Sequence, residues 1–197
     1  MRASGKSVDL VLLKCLRCGT LVQAGEQEVA WVCAQCAQGL QLTVDGLGPL
    51  SVNWAAARPG LVSAQNRWLP FWVFTGAVRF NRREAFSGAN QPDRLWSSQR
   101  RFYIPACPAA LEQMQRLGAD LTRKQTPLIA GPAAGPLANC TLFPDDARQA
   151  AEFVVLTIEA DQKDKLRVVE FALDLGEPEL WVLPFEEQGD LRPALAE

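Results

Sequence analysis

The spacing of apolar positions divides the chain at about residue 45. Before that point apolar residues come in short runs: Val8, Leu10 and Leu12, then Thr20-Leu21-Val22, Val29 to Val32, and Leu40 to Val44. Gly25-Glu26 and Asp45-Gly46 interrupt them as turn signals. The pattern predicts a strand from Val8 to Lys14, a hairpin joining Thr20–Val22 to Val29–Val32, and a further short strand before Asp45. Leu50 to Ala57 predicts one more strand, closed by Arg58-Pro59-Gly60.

The second part carries a different signal. Trp68 to Phe80 is nearly continuous in apolar residues, with Phe71, Trp72, Val73, Phe74 and Val78 among them. Such a run predicts a strand buried on both faces, with Pro70 at its start because proline cannot donate to a sheet ladder. Arg79 to Asp93 reads as a polar loop, followed by a strand from Leu95-Trp96 to Tyr103-Ile104 that Pro105 ends. Leu111, Met114, Leu117 and Leu121 recur at helical intervals, with Pro108 in the first turn. Thr126 to Asn139 is rich in glycine and proline without a phosphate-loop lysine, and predicts a connecting loop. Asp145 and Asp146 open a second helix, whose buried face is Ala147, Ala150, Ala151, Val154, Val155 and Ile158. Lys165–Leu175 and Leu180–Phe185, about Gly176-Glu177-Pro178, predict a closing hairpin. Leu69-Pro70-Phe71 and Leu183-Pro184-Phe185 echo each other, three residues being too few to establish a duplication.

The six cysteines change the picture most. Cys15 and Cys18 form one Cys-x2-Cys knuckle and Cys33 and Cys36 another. A two-residue gap lets both sulfurs of a knuckle face one ion, and two knuckles complete a tetrahedron with metal–sulfur bonds of ~2.3 Å. Gly19, after the first knuckle, suits a turn of positive φ. The arrangement resembles the zinc-ribbon and rubredoxin-like group of small metal folds over about residues 12–40. The resemblance implies Cys15, Cys18, Cys33 and Cys36 as ligands of one ion per chain. Ala37 stands where a glycine often follows the second knuckle, and neither knuckle has the Cys-Pro start common in rubredoxins. This favours zinc over iron. Leu69-Pro70-Phe71-Trp72, Tyr103-Ile104-Pro105-Ala106 and Leu183-Pro184-Phe185 resemble bacterial proteins that place such a ribbon before an α+β domain. Cys107 and Cys140 read as buried small apolar residues, with a disulfide or a redox role as the alternative.

Together these readings predict an α+β protein: a four-Cys ribbon over residues 1–45, then residues 46–197 as a mixed, mainly antiparallel sheet with two helices. No apolar run is long enough to cross a membrane, and four-thiolate chemistry points to a reducing cytoplasm. The chain has no histidine, which removes Ser-His-Asp and Cys-His catalysis and two-His metal sites. Glu159, Asp161 and Asp164 fall where a helix gives way to a polar loop and read as solvated carboxylates.

Net charge is −2, unevenly spread: Arg58 to Arg101 holds eight arginines against two acids, and Asp145 onward fourteen acids against five bases. Arg79, Arg82, Arg83, Arg100 and Arg101 are candidates for gripping an anionic partner, or for pairing with the acidic half. The ribbon loop carries Glu26 and Glu28 without a base, which weakens a nucleic-acid reading. The function expected is a non-enzymatic, zinc-stabilised adaptor or accessory subunit that docks onto a larger protein complex. A rubredoxin-like iron electron carrier and a nucleic-acid-binding ribbon are the alternatives.

Overall fold

The computed structural model describes residues 12–60, 66–88, 91–92, 94–162, 165–188 and 190–196. It is an α+β fold with two sheets and two helices. The small sheet holds β1 (Ala30–Val32), β2 (Gly39–Thr43) and β3 (Gly46–Leu50), all antiparallel. The Asp45-Gly46 turn joins β2 to β3 as expected. Thr20–Val22 pairs elsewhere: Leu21 bridges Lys14, and β1 takes β2 as its partner. Gly25-Glu26 therefore turns the chain without making a hairpin. The expected strand from Val8 lies mostly outside the described residues.

The larger sheet is built along β5 (Asn66–Ala85), a strand of 20 residues. Phe71, Trp72 and Phe74 are almost completely enclosed, as the apolar run predicted, and each such side chain contributes ~1.5–3 kcal/mol through burial. One edge of β5 pairs with β6 (Arg100–Pro105). The other edge takes β8 (Glu179–Gln188) along its first half and β7 (Leu166–Leu175) along its second. β7 and β8 are thus laid end to end along one neighbour and do not form the expected hairpin. Twenty residues of strand offer room for both. β4 (Val52–Trp54) runs parallel to β8, and β9 (Asp190–Pro193) closes antiparallel on β8.

Three further expectations are corrected. Residues 79–85 are strand, held by β7 opposite Gly76 to Ala85. Arg94–Ser97 is a short 3-10 turn, not the start of a strand. Pro70 lies inside β5, opposite Val182. Its carbonyl accepts from Ala106 N, so its missing N–H faces the end of β6; the Ala106 carbonyl receives Thr141 N instead, at 2.7 Å. Pro184 repeats the device: its carbonyl accepts from Ala194 N, and Ala194 O accepts from Arg58 N. Leu69 faces Leu183, so the two Leu-Pro-Phe tripeptides are related by a local two-fold, with Phe71 and Phe185 stacked at 5.7 Å.

α1 (Leu111–Lys124) begins three residues after Pro108, because Ala110 is still extended. It covers the free edge of β6. Thr122 Oγ1 accepts from Tyr103 N, while the Gln125 amide accepts from Arg101 N and donates to Arg101 O. Side chains here do what a further strand would do. Gly118 lets α1 approach, since a Cβ there would lie 2.7 Å from Tyr103 O. α2 (Pro144–Ala160) buries Ala147, Ala151, Val154, Val155 and Ile158 against the sheet. The loop after α1 is irregular, bridging Ala130 to Ala55 and Leu137 to Trp68. No helix among the described residues is long and apolar enough to cross a membrane.

Glu159 is not a solvated carboxylate. Its side chain is enclosed, accepting from Arg83 Nε at 2.7 Å and from Trp96 Nε1 at 2.8 Å. An extra residue in β5 explains how Arg83 reaches it. The ladder shifts between Phe80 and Arg82, leaving Asn81 without a partner on β7, so the inward phase of Trp72, Phe74, Val78 and Phe80 passes to Arg83. Removing one member of a buried pair strands the other charge. Glu159→Ala is expected to cost ~3–5 kcal/mol in urea unfolding. Arg83→Met combined with Glu159→Leu should recover at least half of that loss; a double variant as unstable as the single one would show that the pair itself holds the fold.

Candidate metal centre

Cys15, Cys18, Cys33 and Cys36 converge although 21 residues separate the first from the last. Their four sulfurs lie within 4.8 Å of one another, with Cys15–Cys36 and Cys18–Cys33 each at 3.6 Å. A tetrahedron with ~2.3 Å metal–sulfur bonds has edges of about 3.8 Å. The sulfurs are therefore spaced to hold a metal ion. Local backbone geometry brings this about. In the first knuckle Gly19 N donates to Cys15 O and Cys15 N to Thr20 O; in the second, Ala37 N donates to Cys33 O and Cys33 N to Gln38 O. Each turn closes on a residue of positive φ, Gly19 at 72° as expected and Ala37 at 58°. Alanine accepts this conformation at a cost of ~1 kcal/mol that glycine avoids.

The amides of the turns are aimed at sulfur. The Cys18 amide, helped by that of Arg17, holds the Cys15 thiol below its ordinary value against the effect of burial. The Thr20 hydroxyl, 3.4 Å from Cys18 Sγ, and then the Thr20 amide bring Cys18 down to about 6. At Cys36 the Gln38 amide pulls the same way, but burial and the three neighbouring thiols outweigh it and push the group up to about 12. Four thiolates do not gather without a cation between them. A bound metal would supply that charge and hold all four deprotonated.

Around the sulfurs, Trp31 and Leu40 are buried, with Leu13, Val22 and Leu47 packed against them. Glu28 orients Trp31, accepting from its Nε1 and from Gly25 N. The ribbon is not free of the larger sheet. Val29 N donates to Cys140 O, Ala30 bridges Cys140, and Val29 and Ala30 belong to the core beneath α2. Cys18 is exposed, whereas Cys15 and Cys33 are buried.

Cys107 and Cys140 are free and buried, as expected of small apolar residues. Burial raises both thiols, Cys140 to about 12. The five candidate arginines do not form one group. Arg101 lies opposite Thr75 on the outer face of the sheet, where Arg79 and Arg82 are exposed. Arg82 pairs with Glu84 and, at 3.9 Å, with Glu170. Arg83 is inside, and Arg100 donates to Leu95 O on the α2 side. Glu159, expected among solvated carboxylates, is instead the buried partner of Arg83. Its position four residues after Val155 on the apolar stripe of α2 was the signal that could have found it.

Metal content gives the direct check. Cys33→Ser is expected to abolish stoichiometric binding, whereas Ala37→Gly should keep it and stabilise the loaded ribbon by about 0.5–1 kcal/mol. Elemental analysis and thermal unfolding of the two variants decide both. Unchanged metal content in Cys33→Ser would contradict the assignment.

Comparison of the chain with family models, curated proteins and solved structures gives no match. Any functional reading therefore rests on this geometry.

Proposed function

We propose that this chain is a non-enzymatic, zinc-stabilised adaptor or accessory subunit of a larger cytoplasmic complex. The observation that carries the reading is the set of four converging sulfurs. Four protein ligands complete a tetrahedron, so a bound ion keeps no position open for water or substrate, as catalytic zinc does. A metal in such a site contributes folding energy, on the order of 10 kcal/mol, to a segment too short to make its own core. What the stabilised ribbon offers outward is apolar: Leu12, Leu16 and Leu21 are more than half exposed around the first knuckle. Arg79 and Arg82 add cationic groups on the outer face of the larger sheet. Apolar residues beside arginine suit contact with protein. The ribbon loop, with Glu26 and Glu28 and no base, suits nucleic acid poorly.

The purified chain should be colourless and hold one zinc; a red protein containing iron would replace this reading with electron transfer. Arg79→Glu with Arg82→Glu is expected to lower stability by no more than about 2 kcal/mol, since exposed ion pairs contribute little. The same variant should lose the protein that co-purifies with the native chain. A variant that unfolds readily yet retains its partner would place these arginines within the fold and not at a docking face.

A further inference from the structure

Strand β7 has a neighbour on one side only. Among the described residues it pairs with β5 and with no other strand. Gly176 N donates to Thr75 O. Counting back in steps of two, Asp174, Ala172 and Glu170 turn their amides toward β5, and Leu173, Phe171 and Val169 turn theirs outward. Both ends of this open edge are closed. At one end Arg148 of α2 donates to Leu175 O at 2.8 Å. At the other the ladder passes from Val168 to Leu166 and leaves Arg167 out of register, which terminates regular pairing. The open segment is residues 168–174, and its middle is Phe171.

The apolar layer beneath α2 runs on past this last strand. Phe171, Leu173 and Leu175 pack against the core but stay half-buried, while Trp72, Phe74 and Val78 on β5 are enclosed. Leu156 of α2 is 36% exposed. It lies on the same stripe as Glu152 and Arg148, the residue that reaches the β7 edge, and so overhangs that edge.

We propose that a second copy of this chain occupies the edge, β7 pairing antiparallel with β7 about a two-fold axis at Phe171. Charge selects this register among the three, centred at Glu170, Phe171 and Ala172, that pair more than one of the open residues Val169, Phe171 and Leu173. A centre at Glu170 sets Glu170 against its own copy, and a centre at Ala172 sets Glu170 against Asp174. The centre at Phe171 sets Glu170 against Ala172 and Val168 against Asp174, with no like charges directly opposite. It also matches the open segment end to end, and places Val169, Phe171 and Leu173 against apolar partners. The result is one continuous sheet with both α2 helices on the same face, their Leu156 side chains over the junction. Isologous pairing of this kind is the commonest symmetry of soluble oligomers.

Sedimentation equilibrium of the full, metal-loaded chain tests this, and a reversible dimer is expected. Ala172→Glu is the informative variant. Within the chain its side chain lies opposite Arg79, so the fold is retained, as circular dichroism should confirm. Across the axis it meets Glu170 twice, and the dissociation constant should rise on the order of tenfold. Adding Glu170→Lys to Ala172→Glu should restore association. A chain that remains a monomer at its highest soluble concentration overturns the proposal, leaving the edge to a different occupant or none. A dimer unaffected by Ala172→Glu overturns it too, because the contact then lies elsewhere.

Discussion

Backbone pairing along β5 is the constraint on which the other elements depend. β6, β7 and β8 each hydrogen-bond to it directly, and among the described residues β4 and β9 reach the sheet only through β8. From Trp68 to Phe74, where β5 is buried on both faces, no water reaches its amides, so every N–H and C=O there needs a neighbour. At Pro70, where one N–H is missing, the demand passes to Thr141. The two prolines and the step between β7 and β8 fall where a neighbour ends or changes. Pro70 meets the end of β6, Pro184 meets the end of β9, and residues 176–178 bridge the step from β7 to β8.

What the chain revealed in advance follows from how local each signal is. The Cys-x2-Cys pairs, the apolar run at Trp68–Phe80, the Ala/Val stripe of α2 and the Asp45-Gly46 turn each encode their geometry within a few residues, and each appears in the structure. Strand partnership is not local. Leu180–Phe185 and Lys165–Leu175 look like the arms of a hairpin because Gly176 and Pro178 separate them, yet both take β5, whose length no turn signal reveals. The arginines misled for a related reason. Arg79, Arg82 and Arg83 read as a polar loop, but the unpaired Asn81 sends Arg83 inward to Glu159 while Arg82 stays outside. A one-residue shift in a strand reverses every following side chain. Here it turned a surface charge into a buried pair joining β5, the 3-10 turn at Trp96 and α2.

The ribbon stands in a different relation to the rest. Among the described residues its own core amounts to Cys15, Trp31, Cys33 and Leu40, too little to fold without a metal. It is nevertheless seated on the larger sheet through Val29 and Ala30 against Cys140. A bound metal would thus organise a segment whose inner strand completes the core under α2. The dependence is expected to run one way. Removing the ion should loosen the ribbon, whereas β5 keeps its partners on both edges.

Hydrogen exchange with and without a chelator tests this most directly. The Val29 and Leu42 amides, bonded to Cys140 O and Val29 O respectively, report on the ribbon and its seam. The amides of residues 71–74 report on β5 between β6 and β8. On removal of the metal, Val29 and Leu42 should lose protection while residues 71–74 keep theirs. Simultaneous loss at both places would contradict the account, because β5 would then depend on the metal as much as the ribbon does.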